Sequence, residues 1–128
     1  MKNLRYTLED LKKTFDKLKK CVAMEPESYD LVVDATILRF EFTYELMWKT
    51  LKIFLEDIHG IRAVSPRLVF KEAYALSIIE QEDIFLEMIQ SRNLLSHTYN
   101  EKRAAKIYKK CPLYLSAIKD LYQLISVF

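Results

Sequence analysis

DLVVDATILRFEFTYELMWKTLKIFLEDI, residues 30–58, contains no glycine and no proline. Val33, Ile37, Phe40, Tyr44, Met47, Leu51, Phe54 and Ile58 recur at steps of four and three, the spacing of one helix face. Ala35, Leu38, Phe42, Leu46 and Ile53 form a second stripe on nearly the opposite side. A helix that is apolar on two sides must be covered on both. One face packs inside its own bundle, and the other is available to a second chain.

The flanking sequence continues in helices. Gly60, the only glycine, stands where a helix C-terminus favours a left-handed residue, and His59 beside it reads as a C-terminal cap. Upstream, Leu4, Leu8, Leu11, Phe15, Leu18 and Val22 form one stripe, ended by the EPES segment around Pro26. Downstream, Ser65-Pro66 reads as an N-cap followed by proline in the first turn, opening a short helix that carries Val69, Ala73 and Leu76. The acidic EQED at 80–83 suits a turn into a fourth helix, whose core side is Ile84, Met88 and Leu95. Ala104, Tyr108, Cys111, Leu115, Ile118, Tyr122 and Ile125 mark a last helix, in which Pro112 predicts a kink or break near Cys111. The expected fold is all-α, an antiparallel up-and-down bundle of four or five helices, forming one domain over residues 1–128.

Composition agrees and narrows the function. Half of the 128 residues are hydrophobic, enough for one sizeable core, and one glycine with three prolines is too few turn residues for a β-rich chain. With 20 basic and 18 acidic residues, the chain lacks the bulk charge of a duplex-DNA binder, although a local basic patch is compatible with it. No apolar run reaches the roughly 18 residues that suggest a membrane span, and the N-terminus has no signal-peptide core, so the expected location is cytoplasmic. Cys21 and Cys111 lack metal-site spacing and read as core thiols.

One segment breaks the monotony of leucine, lysine and glutamate: SRNLLSHTYN, residues 91–100. Asn93 and His97 are one helical turn apart, and Arg92 and Tyr99 nearly eclipse each other. Arg92 and His97, five apart, diverge by roughly 140° on a straight helix. They meet only if the helix ends or bends near Ser96, or if two chains share a site. Histidine exchanges protons near neutrality, and arginine offers a planar fork that matches phosphate. Metal-free cleavage of RNA requires those two functions, a base for the ribose 2′-hydroxyl and a cation for the charge growing on phosphate. The plainer reading is that Arg92 and His97 cap a helix end or pair with glutamates. Neither a cofactor nor a metal is called for.

The neighbouring RFEFTYELMWK also has two readings. In one, Arg39, Glu45 and Lys49 form a salt-bridged flank and Trp48 is core. In the other, Glu41 or Glu45 faces Arg92 or His97 from the adjacent helix and fixes the side chain or raises the histidine pKa.

Arg92, four residues, His97, one residue, Tyr99: this spacing resembles the R-x4-H-x-Y signature of HEPN domains. RFEFTYELMWKTLK at 39–52, SPR at 65–67 and MIQSRNLLSHTYNE at 88–101 together resemble the nucleotidyltransferase substrate-binding protein family, over nearly the whole chain. The resemblance implies a helical bundle that forms a homodimer and pairs with a separate minimal nucleotidyltransferase. In HEPN toxins the motif Arg and His form a metal-independent ribonuclease site at the dimer interface. That gives Arg92 the phosphate, His97 the general acid–base role, and supporting positions to Asn93, Ser96, Glu41 and Glu45. In such toxin–antitoxin pairs the transferase adds AMP to the motif tyrosine, here Tyr99, and silences the nuclease. The alternative is a non-catalytic subunit that presents substrate to the transferase.

Overall fold

The computed structural model describes residues 4–24, 29–96 and 100–128. These form five helices and no strand: α1 (Leu4–Ala23), α2 (Tyr29–His59), α3 (Pro66–Ala75), α4 (Glu82–Leu95) and α5 (Glu101–Ile125). Short connections return each helix against its neighbours, giving the expected bundle. α2 is the longest, and it contacts each of the other four.

The reason is the stripe that begins at Val33. Phe40, Met47, Leu51, Phe54 and Leu55 are fully buried, and Val33, Ile37 and Tyr44 nearly so. Burial of one such side chain contributes about 1.5–3 kcal/mol, so this face alone dictates how the other helices surround α2. Aromatic rings carry the packing outward. Phe40 stacks on Tyr114 of α5 at 5.2 Å, Tyr44 meets Phe70 of α3 edge-on at 6.5 Å, and Phe70 meets Phe85 of α4 at 5.3 Å.

α1 lies against a different edge of α2, one built on threonines. Thr36, Thr43 and Thr50 are buried at seven-residue spacing, and each hydroxyl donates to the carbonyl one turn back, at 2.6–2.7 Å. Thr43 also lies 3.3 Å from the hydroxyl and from the carbonyl of the buried Thr14 on α1. Bonding back to the helix satisfies polar atoms that burial would otherwise leave costly. The second apolar stripe of α2 is left largely open: Ala35, Leu38 and Phe42 are exposed, as is Leu31 one turn before them, while Leu46 and Ile53 are half-covered.

The caps fall where local chemistry puts them. Ser65 accepts the Leu68 amide, with Pro66 at the first helical position. Gly60 has φ +67, and Gly60 N and Ile61 N donate to the Glu56 and Leu55 carbonyls at 3.1 and 3.0 Å, closing α2. His59 is the last residue of α2, and its ring meets Phe54 edge-on at 5.6 Å. The backbone at Gly60 thus supplies the closure expected of the imidazole.

Two expectations need correcting. α5 runs unbroken through Pro112. Pro112 is exposed, so the backbone bond it forgoes lies on the wet side of the helix, while buried Cys111 and Tyr114 hold the turns around it. Ile58 is 42 % exposed, because α2 outlasts its neighbours there. Both cysteines are free. Cys111 is fully buried, which pushes its thiol up to about 12, and Cys21 is half-buried. Among the described residues no helix is long and apolar enough to cross a membrane.

A Cβ at Gly60 would meet nothing within 4 Å, so the cost of a side chain there is conformational rather than steric crowding. Gly60→Ala is expected to lower unfolding stability by about 1 kcal/mol, and Gly60→Asn by less, in urea denaturation.

Candidate functional site

α4 ends at Leu95, and Ser96 caps it. The Ser96 amide and hydroxyl both donate to the Asn93 carbonyl, at 3.3 and 2.7 Å. α5 starts at Glu101, with the Asn100 side chain accepting the Arg103 amide at 3.0 Å. The quoted decapeptide therefore straddles a helix end, a connection and a helix start. Its two sides are anchored by one small cluster, in which Leu95 of α4 and Ala104 and Tyr108 of α5 pack on Val33 and Ile37 of α2. His97 and Tyr99 lie outside the described residues.

Arg92 occupies the last turn of α4 and is aimed at α2. Its Nε is 3.6 Å from Glu45 Oε1, and the other oxygen of the same carboxylate is 3.5 Å from Lys49 Nζ. Parts of both readings of RFEFTYELMWK meet in Glu45, which pairs with Lys49 as in the first and faces Arg92 as in the second, while Arg39 joins neither contact. The arginine side chain keeps 32 % exposure, so the contact is open to solvent. Exposed pairs of this kind contribute at most about 1 kcal/mol, so the contact orients the guanidinium more than it stabilises the fold. One position earlier, buried Ser91 shares a 2.8 Å hydrogen bond with Tyr114, tying α4 to α5.

Glu41, one turn before Glu45, also lies in the field of Arg92. Burial raises its carboxyl above the usual value, Arg92 opposes that shift, and the nearby Glu45 charge adds to it. Burial likewise raises the Tyr44 phenol, with Glu45 reinforcing and Arg92 opposing. Arg92, Glu41, Tyr44 and Glu45 thus form one electrostatic unit between α4 and α2. Arg39 lies apart from it, on the edge of a groove of about 340 Å³ between α1 and α2, which Glu45 and the exposed Phe42 also line.

Of the residues expected at the site, Arg92, Glu41 and Glu45 come together. Asn93 is exposed, and the Ser96 hydroxyl is occupied by the Asn93 carbonyl, where it terminates α4. Trp48 packs on the main core as the plainer reading has it, and its buried indole N–H finds no acceptor among the described residues. The sequence reading missed Asn100, although Asn followed by Glu is the signature of an N-cap and an acidic first turn. No group of three or more His, Cys, Asp or Glu gathers among the described residues.

Known proteins share this architecture. The chain matches the family described as nucleotidyltransferase substrate binding protein like over residues 6–126. A solved structure from Thermus thermophilus superposes with a TM-score of 0.85 at 31 % identity, covering 90 % of this chain and 98 % of that one. Haemophilus influenzae HI0074, described as having the fold of a substrate binding domain of a nucleotidyltransferase, has a TM-score of 0.69 at 22 % identity over 96 % of each chain, a likeness of fold. The probable ribonuclease HepT of Haemophilus influenzae is 29 % identical over 83 residues, which are 62 % of this chain and 57 % of that protein's length.

Because the Glu41 carboxyl titrates above its ordinary value of 4.5 in the folded chain, its ionisation disfavours folding. The penalty is absent below pH 4.5 and complete once the pH passes the raised value. Glu41→Gln should therefore raise the melting temperature slightly at pH 7, and the gain over wild type should vanish as the pH falls below about 4, followed by circular dichroism.

Proposed function

The chain belongs to the nucleotidyltransferase substrate binding protein like family, and from that membership we propose that it is the HEPN-type partner of a minimal nucleotidyltransferase and a metal-independent ribonuclease of toxin–antitoxin type. The observation that carries this reading is the position of Arg92. It sits one turn from the end of α4, oriented by Glu45, partly exposed, beside the connection that holds His97. α4 stops at Leu95, before His97, so the 140° divergence calculated for one straight helix is not a constraint on this pair.

The chemistry then follows from the residue types. His97 takes the proton of a ribose 2′-hydroxyl. The 2′-oxygen attacks the adjacent phosphorus, the bond to the 5′-oxygen of the next nucleotide breaks, and that oxygen leaves with a proton taken from water, giving a 2′,3′-cyclic phosphate, while His97 returns its own proton to solvent. Arg92 bears the charge that accumulates on the phosphate oxygens, and Glu45 supplies its orientation. The 29 % identity to a probable ribonuclease supports this reading over the shared segment.

The exposed Leu31, Leu38 and Phe42 on α2 support a second copy of the chain as the cover for that face, consistent with a homodimer. The transferase partner forms a phosphodiester between the Tyr99 oxygen and the α-phosphorus of ATP, releasing pyrophosphate. The bound AMP then blocks the site with bulk and negative charge. A second reading, a non-catalytic subunit presenting substrate to the transferase, is favoured by one observation: Glu45 already engages the cation that phosphate would need.

Incubation with RNA in EDTA separates the two. Wild type should cut, and Arg92→Ala and His97→Ala should each slow cutting by about 10²-fold or more. Cleavage that survives both substitutions would be a contaminant's, and a folded, unmodified wild type that cuts nothing would establish the binding-subunit reading. Co-expression with the transferase should add one or more AMP masses to the chain by intact mass spectrometry, and Tyr99→Phe should abolish the addition. A label retained in Tyr99→Phe would place the acceptor elsewhere.

A further inference from the structure

α5 opens with EKRAAKIYKK, residues 101–110, which holds five cations and one carboxylate. The rest of the chain has 15 basic and 17 acidic residues, and LKKTFDKLKK at 11–20 on α1 is a second run with the same five cations and one carboxylate. At 100° per residue, Lys109, Lys102, Lys106, Lys110 and Arg103 fall in that order within about 120° of the helix circumference. All five are exposed, on the side away from buried Ala104, Ile107 and Cys111. Lys110 pairs with Glu87 at 3.2 Å. Lys102, Arg103, Lys106 and Lys109 make no ion pair among the described residues, whereas Lys12 on α1 and Lys49 on α2 each meet an acid one turn away.

This arrangement works against the helix that carries it. Lys102 and Arg103 stand in the first turn, where the macrodipole favours acids. Lys102 and Lys106 repel at four-residue spacing, as do Lys106 and Lys110, and Lys106 and Lys109 repel at three. Apart from the Lys110–Glu87 pair, this face shows no gain to folding, the pattern that a surface serving a ligand with a row of negative charges would have. The face spans about 10 Å from Lys102 to Lys109 and begins two residues after the Asn100 cap, where the connection carrying His97 ends.

We propose that this basic face of α5 is the track that holds the sugar–phosphate backbone of a single-stranded RNA as it enters the Arg92 site. The identity of the strand rests on the ribonuclease reading above. An in-line attack by a 2′-hydroxyl needs a backbone free to swing out of duplex geometry, which makes the strand single. The contacts are to phosphate, so the track gives affinity and salt dependence without base preference.

The test is the binding of a fluorescein-labelled 2′-O-methyl oligonucleotide of about 12 nucleotides, which lacks the attacking hydroxyl, to the full chain across a range of salt concentrations. Lys102→Gln/Lys106→Gln/Lys109→Gln should weaken binding at least about tenfold at 0.1 M salt and flatten the slope of log affinity against log salt by about 2. Its melting temperature should hold or rise, since self-repulsion has been removed. Lys13→Gln/Lys17→Gln/Lys20→Gln on α1, with the same loss of charge, should bind as wild type. The proposal is overturned if the α5 variant keeps its affinity and slope, if the α1 variant loses as much, or if the α5 variant loses only its association with the transferase. Cleavage of unmodified RNA is scored separately. Binding through α5 without cleavage refutes the nuclease and leaves the track, and cleavage with an unaltered α5-variant affinity refutes the track and leaves the nuclease.

Discussion

A helix of 31 residues whose inner stripe is buried along nearly its whole length cannot stand at the edge of a small protein. α2 has to be central, and the other helices take their places from that requirement. α3 and α4 are short because they only need to close the aromatic chain from Tyr44 through Phe70 to Phe85. α5 is long because it must run beside α2 to bring Tyr114 against Phe40. The same requirement brings the last turn of α4 to the flank of α2, where Glu41 and Glu45 wait for Arg92. The contact between Arg92 and Glu45 is therefore a by-product of how one helix is covered.

What the sequence disclosed follows from what is local. Stripes, caps and turns depend on residues within a few positions of one another, so α2, the Gly60 closure and the Ser65 cap were legible. The all-α bundle follows from these together with the resemblance carried by RFEFTYELMWKTLK, SPR and MIQSRNLLSHTYNE. The contact between Arg92 and Glu45 stayed one of two readings because it depends on the rotation of α4 against α2, which no spacing within either helix encodes. On α5 the expected stripe lies on one flank of the true core face. Ile107, Tyr114 and Leu121 are buried, while Tyr108, Leu115 and Tyr122 are only half-covered. Periodicity finds a face to within about one residue, and a residue shift turns a helix by about 100°. Pro112 misled for a different reason: the proline and Leu113 beside it are exposed, so the bond it forgoes lies on the wet side, while buried Cys111 and Tyr114 hold the helix together.

Glu45 is shared between two cations, and that sharing matters to how the site behaves. With Lys49 on one oxygen and Arg92 on the other, the carboxylate neither saturates the guanidinium nor leaves it to wander. On the proposed ribonuclease reading, a phosphate at Arg92 would meet a side chain already aimed and still wet, at an entropic cost lower than that of ordering a free arginine. Glu41 contributes in the opposite sense, since burial makes its charge uncomfortable and the Arg92 field relieves part of that discomfort. The positive charge of Arg92 is thus held in place by groups that each gain something from it.

The threonines between α1 and α2 have a consequence beyond polar satisfaction. Thr36, Thr43 and Thr50 repeat every seven residues on one helix, and the middle one, Thr43, meets Thr14 on the other. Leucine against leucine tolerates sliding by a turn, since one branched hydrocarbon resembles the next. A hydroxyl at 3.3 Å from both the hydroxyl and the carbonyl of Thr14 does not, because a shift of one turn would set it against hydrocarbon. The seam works as a ratchet pawl: it holds the first two helices in a single vertical alignment, which the hydrocarbon around it would not by itself select.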